Sequence, residues 1–389
     1  MKNFITLIRK ITKLVIEIMF SIFDYRFDIL ILDSKPYSGS NSYAFYRYLK
    51  EIYPEIKVKL LREEKNPLKR IYFYKVSRYI ITTHGVSCLI KRRNQKIIQF
   101  WHGIPLKAMN LMDKTEKNKK LGLKLWKNFD YIISPSQFYN TLLNACVGTS
   151  GDKYVVTGFP RTDYLFKKGK LNNIIDVKDK KVILFIPTFK KGYFGRDFNE
   201  GFERNNNIFG INTFDIRKFE NFLKQNNLLL IAKLHPFEEI FYKKIYQKAN
   251  LENFIFLSSD ILFKNDIDLY EILPGSDLLI TDYSSIYFDY LLLNKPIIFV
   301  NNDIEIYEKT RGFLLYPYDF WTPGPKVKTQ EELQNEIIRN LKEDNYKDQR
   351  NLIKKIVFKF FDGNSCERIY NTIFKKQGDK DELDSKEKF

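Results

Sequence analysis

The chain has three histidines, His84, His102 and His235, and each follows a run of apolar or β-branched residues that reads as a β-strand. His102 lies in FWHGIPLK after the run 97–101, and His235 lies in AKLHPFEE after 228–234. Imidazole exchanges a proton near neutral pH, which suits general acid–base work. A single histidine at a strand end often serves only as a hydrogen-bonded structural residue. Two of them, in opposite halves of the chain and each beside a Gly or Pro turn, point to one shared reaction centre. His84, in THGVS, has the same local placement in a weaker context.

A second constellation is LLITDYSSIYFDYLLLNKPIIFV, residues 278–300. Asp282, Ser284 or Ser285 is placed to cap the helix that follows the strand 278–281, and free helix N–H groups beside two hydroxyls make a phosphate site. The bland alternative is an ordinary N-cap. Asp289, four residues past Ser285, shares its helix face and is a candidate for a ribose hydroxyl. In FIPTFK, Thr188 and Lys190 stand at the end of the first strand of the second half, where a hydroxyl plus an ammonium fits a pyrophosphate. Arg161, in GFPRTD, either holds a phosphate or pairs with Asp163. Asp266 and Asp268 have the DxD spacing of metal-dependent sugar transferases, but Asp268 precedes LYEIL, where it is a natural N-cap. GxxxxGK[ST] and GxGxxG are both absent, so there is no P-loop or dinucleotide fingerprint, and no nucleic-acid motif is visible.

These residues must be held by the strands that precede them. Apolar runs at 27–33, 57–61, 79–83, 97–101, 131–134 and 154–157, then 182–187, 228–234, 254–257, 278–281 and 296–300, alternate with helix-length segments. Such continuous apolar strands mean parallel sheets covered on both faces, an α/β fold. The polar stretch 166–181 is the best linker. It divides the 389 residues into two doubly wound, Rossmann-like halves facing across a cleft, with the site at the carboxyl ends of the strands. The expected units are a basic segment 1–23, a first domain 24–170, a second domain 171–375 and a disordered tail 376–389. Cys88, Cys146 and Cys366 form no CxxC pair, which argues against a disulfide scaffold or zinc site and for a reducing compartment.

The formal net charge of +18 favours an anionic partner, although lysine is abundant throughout the chain. Residues 91–127 hold eleven Lys or Arg against two Asp or Glu, interleaved with Trp101, Met109, Leu111, Met112, Leu121, Leu125 and Trp126. This pattern suits an anionic bilayer surface, with Lys107, Lys114, Lys117, Lys119, Lys120 and Trp126 as contacts. Segment 1–23 is a basic, apolar helix that either lies on such a surface or packs on the domain. Its uncharged runs are shorter than the ~20 residues a spanning helix needs, and no signal-peptide cleavage site follows.

WHGIPLK, SPSQF, GFPR, PTFK, LHP, TDYSSIYFDYLLLNKPIIF and RGFLLYP…PGP occur in this order between residues 101 and 325. Together they resemble the CDP-glycerol glycerophosphotransferase family of teichoic-acid primases and polymerases. SKPYSGSNSYAFYRYL, residues 34–49, is similar to that family's entry segment, with Asn41 on its usual Asn. The resemblance covers about residues 27–345. It implies a GT-B fold and an enzyme peripheral to the cytoplasmic face of the membrane. The implied reaction moves glycerol phosphate from CDP-glycerol to a hydroxyl of a lipid-linked acceptor and releases CMP. The family's two essential histidines fall on His102 and His235, and its phosphate-binding Asp-Tyr-Ser-Ser falls on Asp282 to Ser285. Lys190 stands where Arg is common and Ile104 where Thr is usual, which leaves the donor alditol open.

On this reading His102 is the general base and His235 the electrophilic partner of the pyrophosphate. Thr188, Lys190, Asp282, Ser284 and Ser285 bind donor phosphate, and Asp289 binds ribose. Asn41, Arg161 and Arg311 are candidate contacts to acceptor or phosphate. No cofactor is required if the protein supplies the positive groups, and the dependence on a divalent metal is open. Chain length favours a primase, or a short capsule-type polymerase, over the longer polymerases of teichoic-acid or capsule-type polymer synthesis. The alternatives are a CDP-ribitol-type transferase, a GT-B glycosyltransferase using a nucleotide sugar, and a non-catalytic basic scaffold.

Overall fold

The computed structural model describes residues 2–33, 35–62, 64–84, 90–190, 207–249 and 251–375. The expected tail 376–389 lies outside them. Each apolar run coincides with or overlaps a strand. β1 (Phe27–Leu32), β2 (Val58–Leu61), β3 (Ser77–Thr82), β4 (Lys96–Gln99), β5 (Tyr131–Ser134) and β6 (Tyr154–Val156) form one sheet in the order β2-β1-β3-β4-β5-β6. β7 (Lys181–Phe185), β8 (Leu228–Ala232), β9 (Phe254–Phe256), β10 (Leu278–Thr281), β11 (Ile297–Val300) and β12 (Lys326–Val327) form a second, in the order β12-β11-β10-β7-β8-β9. Every pairing is parallel. The short β12 was not read from the sequence, because two residues carry no periodicity. Ile29 to Ile31 and Leu278 to Ile280 are fully buried, as expected of strands covered on both faces.

Helices α1 (Lys2–Ser21), α2 (Asn41–Ile52), α3 (Pro67–Lys75), α4 (Lys119–Lys127) and α5 (Gln137–Val147) accompany the first sheet. Their ends are written locally. Ser40, Asn66 and Ser136 accept N-terminal amides, Pro67 opens α3, and Gly148 closes α5 at φ 56°. Right-handed crossovers in this strand order put α3, α4 and α5 on one face of the sheet and α2 on the other.

α1 packs on α3. Its rotation is set by Glu17, which is buried, pairs with Lys75 at 3.2 Å and accepts the Ile90 N–H at 2.7 Å. Phe20 and Phe23 meet the edge of Tyr72. The opposite face of α1 and the turn after it leave Ile11, Leu14, Val15, Ile18, Met19, Ile22 and Phe23 exposed. Trp126, expected at a membrane, is instead a core residue. It packs against Trp101 and Phe129 at 5.0 and 5.4 Å, because α4 turns its one large aromatic toward the sheet.

The second sheet carries α6 (Ile216–Gln225), α7 (Pro236–Tyr246), α8 (Ser259–Lys264), α9 (Leu269–Ile272), α10 (Ile286–Tyr290), α11 (Ile304–Thr310), α12 (Tyr318–Trp321) and α13 (Gln330–Lys342). After α14 (Lys347–Val357) and α15 (Ser365–Ile369) the chain returns to the first half. The Ser365 and Cys366 N–H groups donate to Asp163 at 2.9 Å, and Tyr370 stacks on Tyr53 at 3.8 Å. Phe374 meets Phe45 and Tyr79. Residues 365–375, expected in the second domain, therefore pack on the first, and Asp163 is engaged there and not with Arg161. The stretch read as a linker is folded down: Leu171 is buried, and Lys170 donates its N–H to the Glu271 carbonyl at 2.8 Å.

The halves meet through buried charge. Arg161 Nη2 lies 2.6 Å from Asp289 Oδ2, and Arg47 lies 2.7 Å from Glu271. Close approach requires glycine at two points. A Cβ on Gly39 (φ +78°) would lie 2.3 Å from Tyr270, and one on Gly103 (φ +140°) 2.9 Å from Ser285 Oγ. Removing one partner of a buried pair leaves an uncompensated charge, worth about 3–5 kcal/mol. Asp289→Asn is expected to lower unfolding free energy by about that amount in urea titrations, and a loss below about 1 kcal/mol would show that Arg161 finds another partner or water.

Candidate active site

β4 ends at Gln99, two residues short of the expected limit, and the chain turns sharply at Trp101 (φ 46°) and Gly103 (φ 140°). Three side chains hold this turn. The Gln99 side chain accepts the Trp101 N–H at 2.9 Å. Asn41 donates to the Phe100 and Trp101 carbonyls at 3.1 and 3.0 Å, and Arg161 Nη1 donates to the His102 carbonyl at 3.0 Å. The turn delivers the His102 ring, open to the cleft, against Trp101 at 4.0 Å and against His84 at 5.1 Å. His102 Nδ1 lies 3.1 Å from the Thr83 carbonyl. A carbonyl only accepts, so Nδ1 carries the proton and Nε2 keeps its lone pair. Desolvation at the foot of the cleft lowers the His102 pKa. The Thr83 bond opposes this in part, and the His84, Arg161 and Lys107 charges reinforce it. The ring is therefore neutral and basic at Nε2 near neutral pH.

A cavity of about 410 Å³ opens beside it. Trp101, His102 and Lys107 line one wall, and Thr188, Ser284, Ser285 and Arg311 line the other. This volume lies in the range of small-molecule sites. The Thr188 N–H donates to Asp282 Oδ1 at 2.7 Å, so buried Asp282 braces the loop after β7 and does not face a phosphate. Arg311 Nε donates to the Ala108 carbonyl at 2.9 Å. Lys107, expected at a membrane, belongs to the cleft, because its backbone bridges to Phe313. Ser285 stands at the N-cap of α10 without a side-chain capping bond. A larger groove of about 750 Å³ between α6 and α13 contains no histidine and none of the strand-end residues.

Four candidates are spent inside the protein. Asp289 is fully buried; it accepts from Arg161 and, at 2.5 Å, from the Tyr270 hydroxyl, so it cannot reach a ribose. α10 is enclosed on all sides, and the face Asp289 shares with Ser285 turns into the contact between halves. Arg161 itself is buried by that pair, and fully buried Asn41 is a backbone brace. Lys190 is buried with its ammonium 2.6 Å from Asp303, under the Tyr283 ring, and so is committed to a carboxylate and not to a phosphate. Asp268 caps α9 with a full capping box, and burial raises its carboxyl to about 6. Among the described residues no group of three or more His, Cys, Asp or Glu is arranged to hold a metal ion.

His235 directly precedes α7, which opens with Pro236. Its ring lies 4.2 Å from that of Phe189, which also lines the cavity. Desolvation lowers its pKa first, and the Lys35 and Lys233 charges lower it further. Lys35, from the loop after β1, reaches across the cleft to place Nζ 3.5 Å from His235 Nε2. Sequence reasoning passed over Lys35, although it stands just past a strand end like the histidines. Nitrogen-detected NMR of the imidazoles is expected to show His102 as the Nδ1–H tautomer, titrating below 6.5. An Nε2–H tautomer would remove its lone pair from the cleft and end its assignment as a base.

The profile of the CDP-Glycerol:Poly(glycerophosphate) glycerophosphotransferase family matches residues 28–375. The teichoic acid poly(glycerol phosphate) polymerase of Bacillus spizizenii is 32% identical over 321 residues, covering 78% of this chain and 75% of that protein. The teichoic acid glycerol-phosphate primase of Bacillus subtilis is 30% identical over 341 residues, covering 83% and 81%. The solved wall teichoic acid polymerase TagF superposes with a TM-score of 0.74 at 21% identity, over 97% of this chain and 98% of that one, which shows a shared GT-B fold. The profile match and these relatives place the chain in the CDP-glycerol:poly(glycerophosphate) glycerophosphotransferase family.

Proposed function

We propose that this protein transfers a glycerol-phosphate unit from CDP-glycerol to a hydroxyl of a lipid-linked acceptor and releases CMP. The observation that carries the reading is the His102 ring, held by the Thr83 carbonyl with Nε2 basic and open to the cleft, opposite Ser284, Ser285 and Thr188. The acceptor oxygen attacks the β-phosphorus in line, and its proton goes to His102 Nε2. The bond from that phosphorus to the bridging oxygen breaks, and its electron pair leaves with CMP. Ser284, Ser285 and Thr188 hold phosphate oxygens from the second half. Arg311 and His235 meet the charge that develops on the leaving phosphate.

Loss of a general base typically costs ~10²–10⁴ in rate. His102→Ala is therefore expected to abolish nearly all CMP release from CDP-glycerol, with circular dichroism unchanged. A folded variant that keeps a tenth of wild-type turnover would overturn the role. The same assay run with CDP-ribitol and a UDP-sugar reads the donor, and product length reads single against repeated addition. Faster UDP release from the sugar than CMP release from any CDP-alditol would replace this function with glycosyl transfer.

The acceptor side supports docking on an anionic membrane surface. α1 sits on α3, on the same face of the first sheet as α4, so the exposed apolar stripe of α1 and exposed Leu121, Lys120, Lys124 and Lys127 of α4 share one side. Lys114 and Lys117, just before α4, are also exposed, whereas Lys119 donates to the Leu111 carbonyl. No helix of the described residues is long and apolar enough to cross a membrane. Each cation near such a surface contributes ~1 kcal/mol and is screened over ~10 Å at 0.1 M salt. Ile18→Glu with Ile22→Glu is expected to release the protein from phosphatidylglycerol vesicles, and reversal of Lys114, Lys117 and Lys120 to weaken binding at low salt only. Sedimentation unchanged in both variants would remove this face from the membrane.

A further inference from the structure

Lys35 sits on the loop between β1 and α2, and that loop is fixed at both ends. Asp33 accepts the Lys35 N–H at 2.9 Å and bonds the hydroxyls of Ser40 and Ser42. The loop is also tied to the second half. The Leu269 N–H donates to the Tyr37 carbonyl at 3.0 Å, and the Gly39 N–H donates to Asp268 at 3.2 Å. A stiff loop thus carries an exposed ammonium to a histidine 200 positions away. Most lysines near this cleft are committed: Lys190 to Asp303, Lys170 to Glu271, Lys233 to Ser259 and a backbone carbonyl. Among the described residues no carboxylate pairs with Lys35, and the imidazole of His235 is the group its ammonium meets. A rigidly placed ammonium that meets an imidazole nitrogen, open to solvent at the seam between halves, is a donor arranged for an anion.

We propose that Lys35 is a phosphate-contacting residue, lent by the first half to a donor held by the second, and that it binds the β-phosphate together with His235. The inference rests on the CDP-linked donor reading. Lys35 reaches across the cleft to the pyrophosphate and offsets charge as the β–α bridge breaks. Its contact is with the phosphate that CDP has and CMP lacks, so it discriminates substrate from product and lets CMP leave.

The test is calorimetric titration of the full chain with CDP and with CMP, on wild type, Lys35→Ala and Lys35→Arg. A lost charge-assisted hydrogen bond is expected to weaken CDP at least about tenfold in Lys35→Ala, with CMP changed less than about twofold and CDP affinity largely restored in Lys35→Arg. Thermal unfolding at the wild-type temperature excludes a collapsed loop as the cause. Equal CDP affinity in wild type and Lys35→Ala overturns the proposal, and so does a parallel loss of CMP, which would mark Lys35 as structural. If wild type binds neither nucleotide, the donor reading falls and this inference falls with it.

Discussion

The two halves of the molecule are registered by one buried guanidinium. Arg161 spends Nη2 on Asp289 of the second half, at 2.6 Å, and Nη1 on the carbonyls of Gly39 and His102 in the first, each at 3.0 Å. A planar fork satisfies these acceptors only at one relative placement, which is why arginine and not lysine serves here. Taking the charges out of water is expensive, so the pair is a weak source of net stability but a strong selector of geometry. The turn that presents His102, the loop that carries Lys35 and the buried helix α10 all hang from it.

Around that joint the labour is divided. The first half supplies a basic nitrogen and positive charge at the cleft, in His102, Lys107 and Lys35. The second half supplies hydroxyls on short loops after β7 and β10, together with His235. Three of the carboxylates near the site are internal braces: Asp33 for the Lys35 loop, Asp282 for the Thr188 loop and Asp303 for Lys190. With these carboxylates turned to bracing, Lys107 and Arg311 line the cavity beside the hydroxyls of Thr188, Ser284 and Ser285, a lining that suits a pyrophosphate substrate. α1 stands apart from this core. It precedes residues 28–375, which match the family, and Glu17 fixes its rotation so that its second apolar face turns outward.

The strands, the covered sheets and the strand-end placement of His102 and His235 were legible in the sequence, because burial on both faces of a parallel strand writes itself as a continuous apolar run. The Asp268 cap was legible for the same local reason, since a capping box spans only four residues. Local pattern also carried the ordered motifs that resemble the family. Partners were not legible. Asp289 has the type and helical spacing of a ribose ligand, yet it lies 128 positions from the guanidinium that claims it. Lys190 and Trp126 likewise carry the right chemistry for phosphate and membrane, and the fold turns both inward. Lys35 shows the reverse case: a lysine in a loop, ordinary in sequence, becomes a cleft residue because the second half brings His235 to it. The sequence by itself determined which segments are buried and which residues stand at strand ends, for these follow from near-neighbour periodicity and turn chemistry. Only the tertiary structure decided which charges are consumed in pairing and which remain for a ligand, because that depends on contacts between residues one to two hundred positions apart, made when the two halves close.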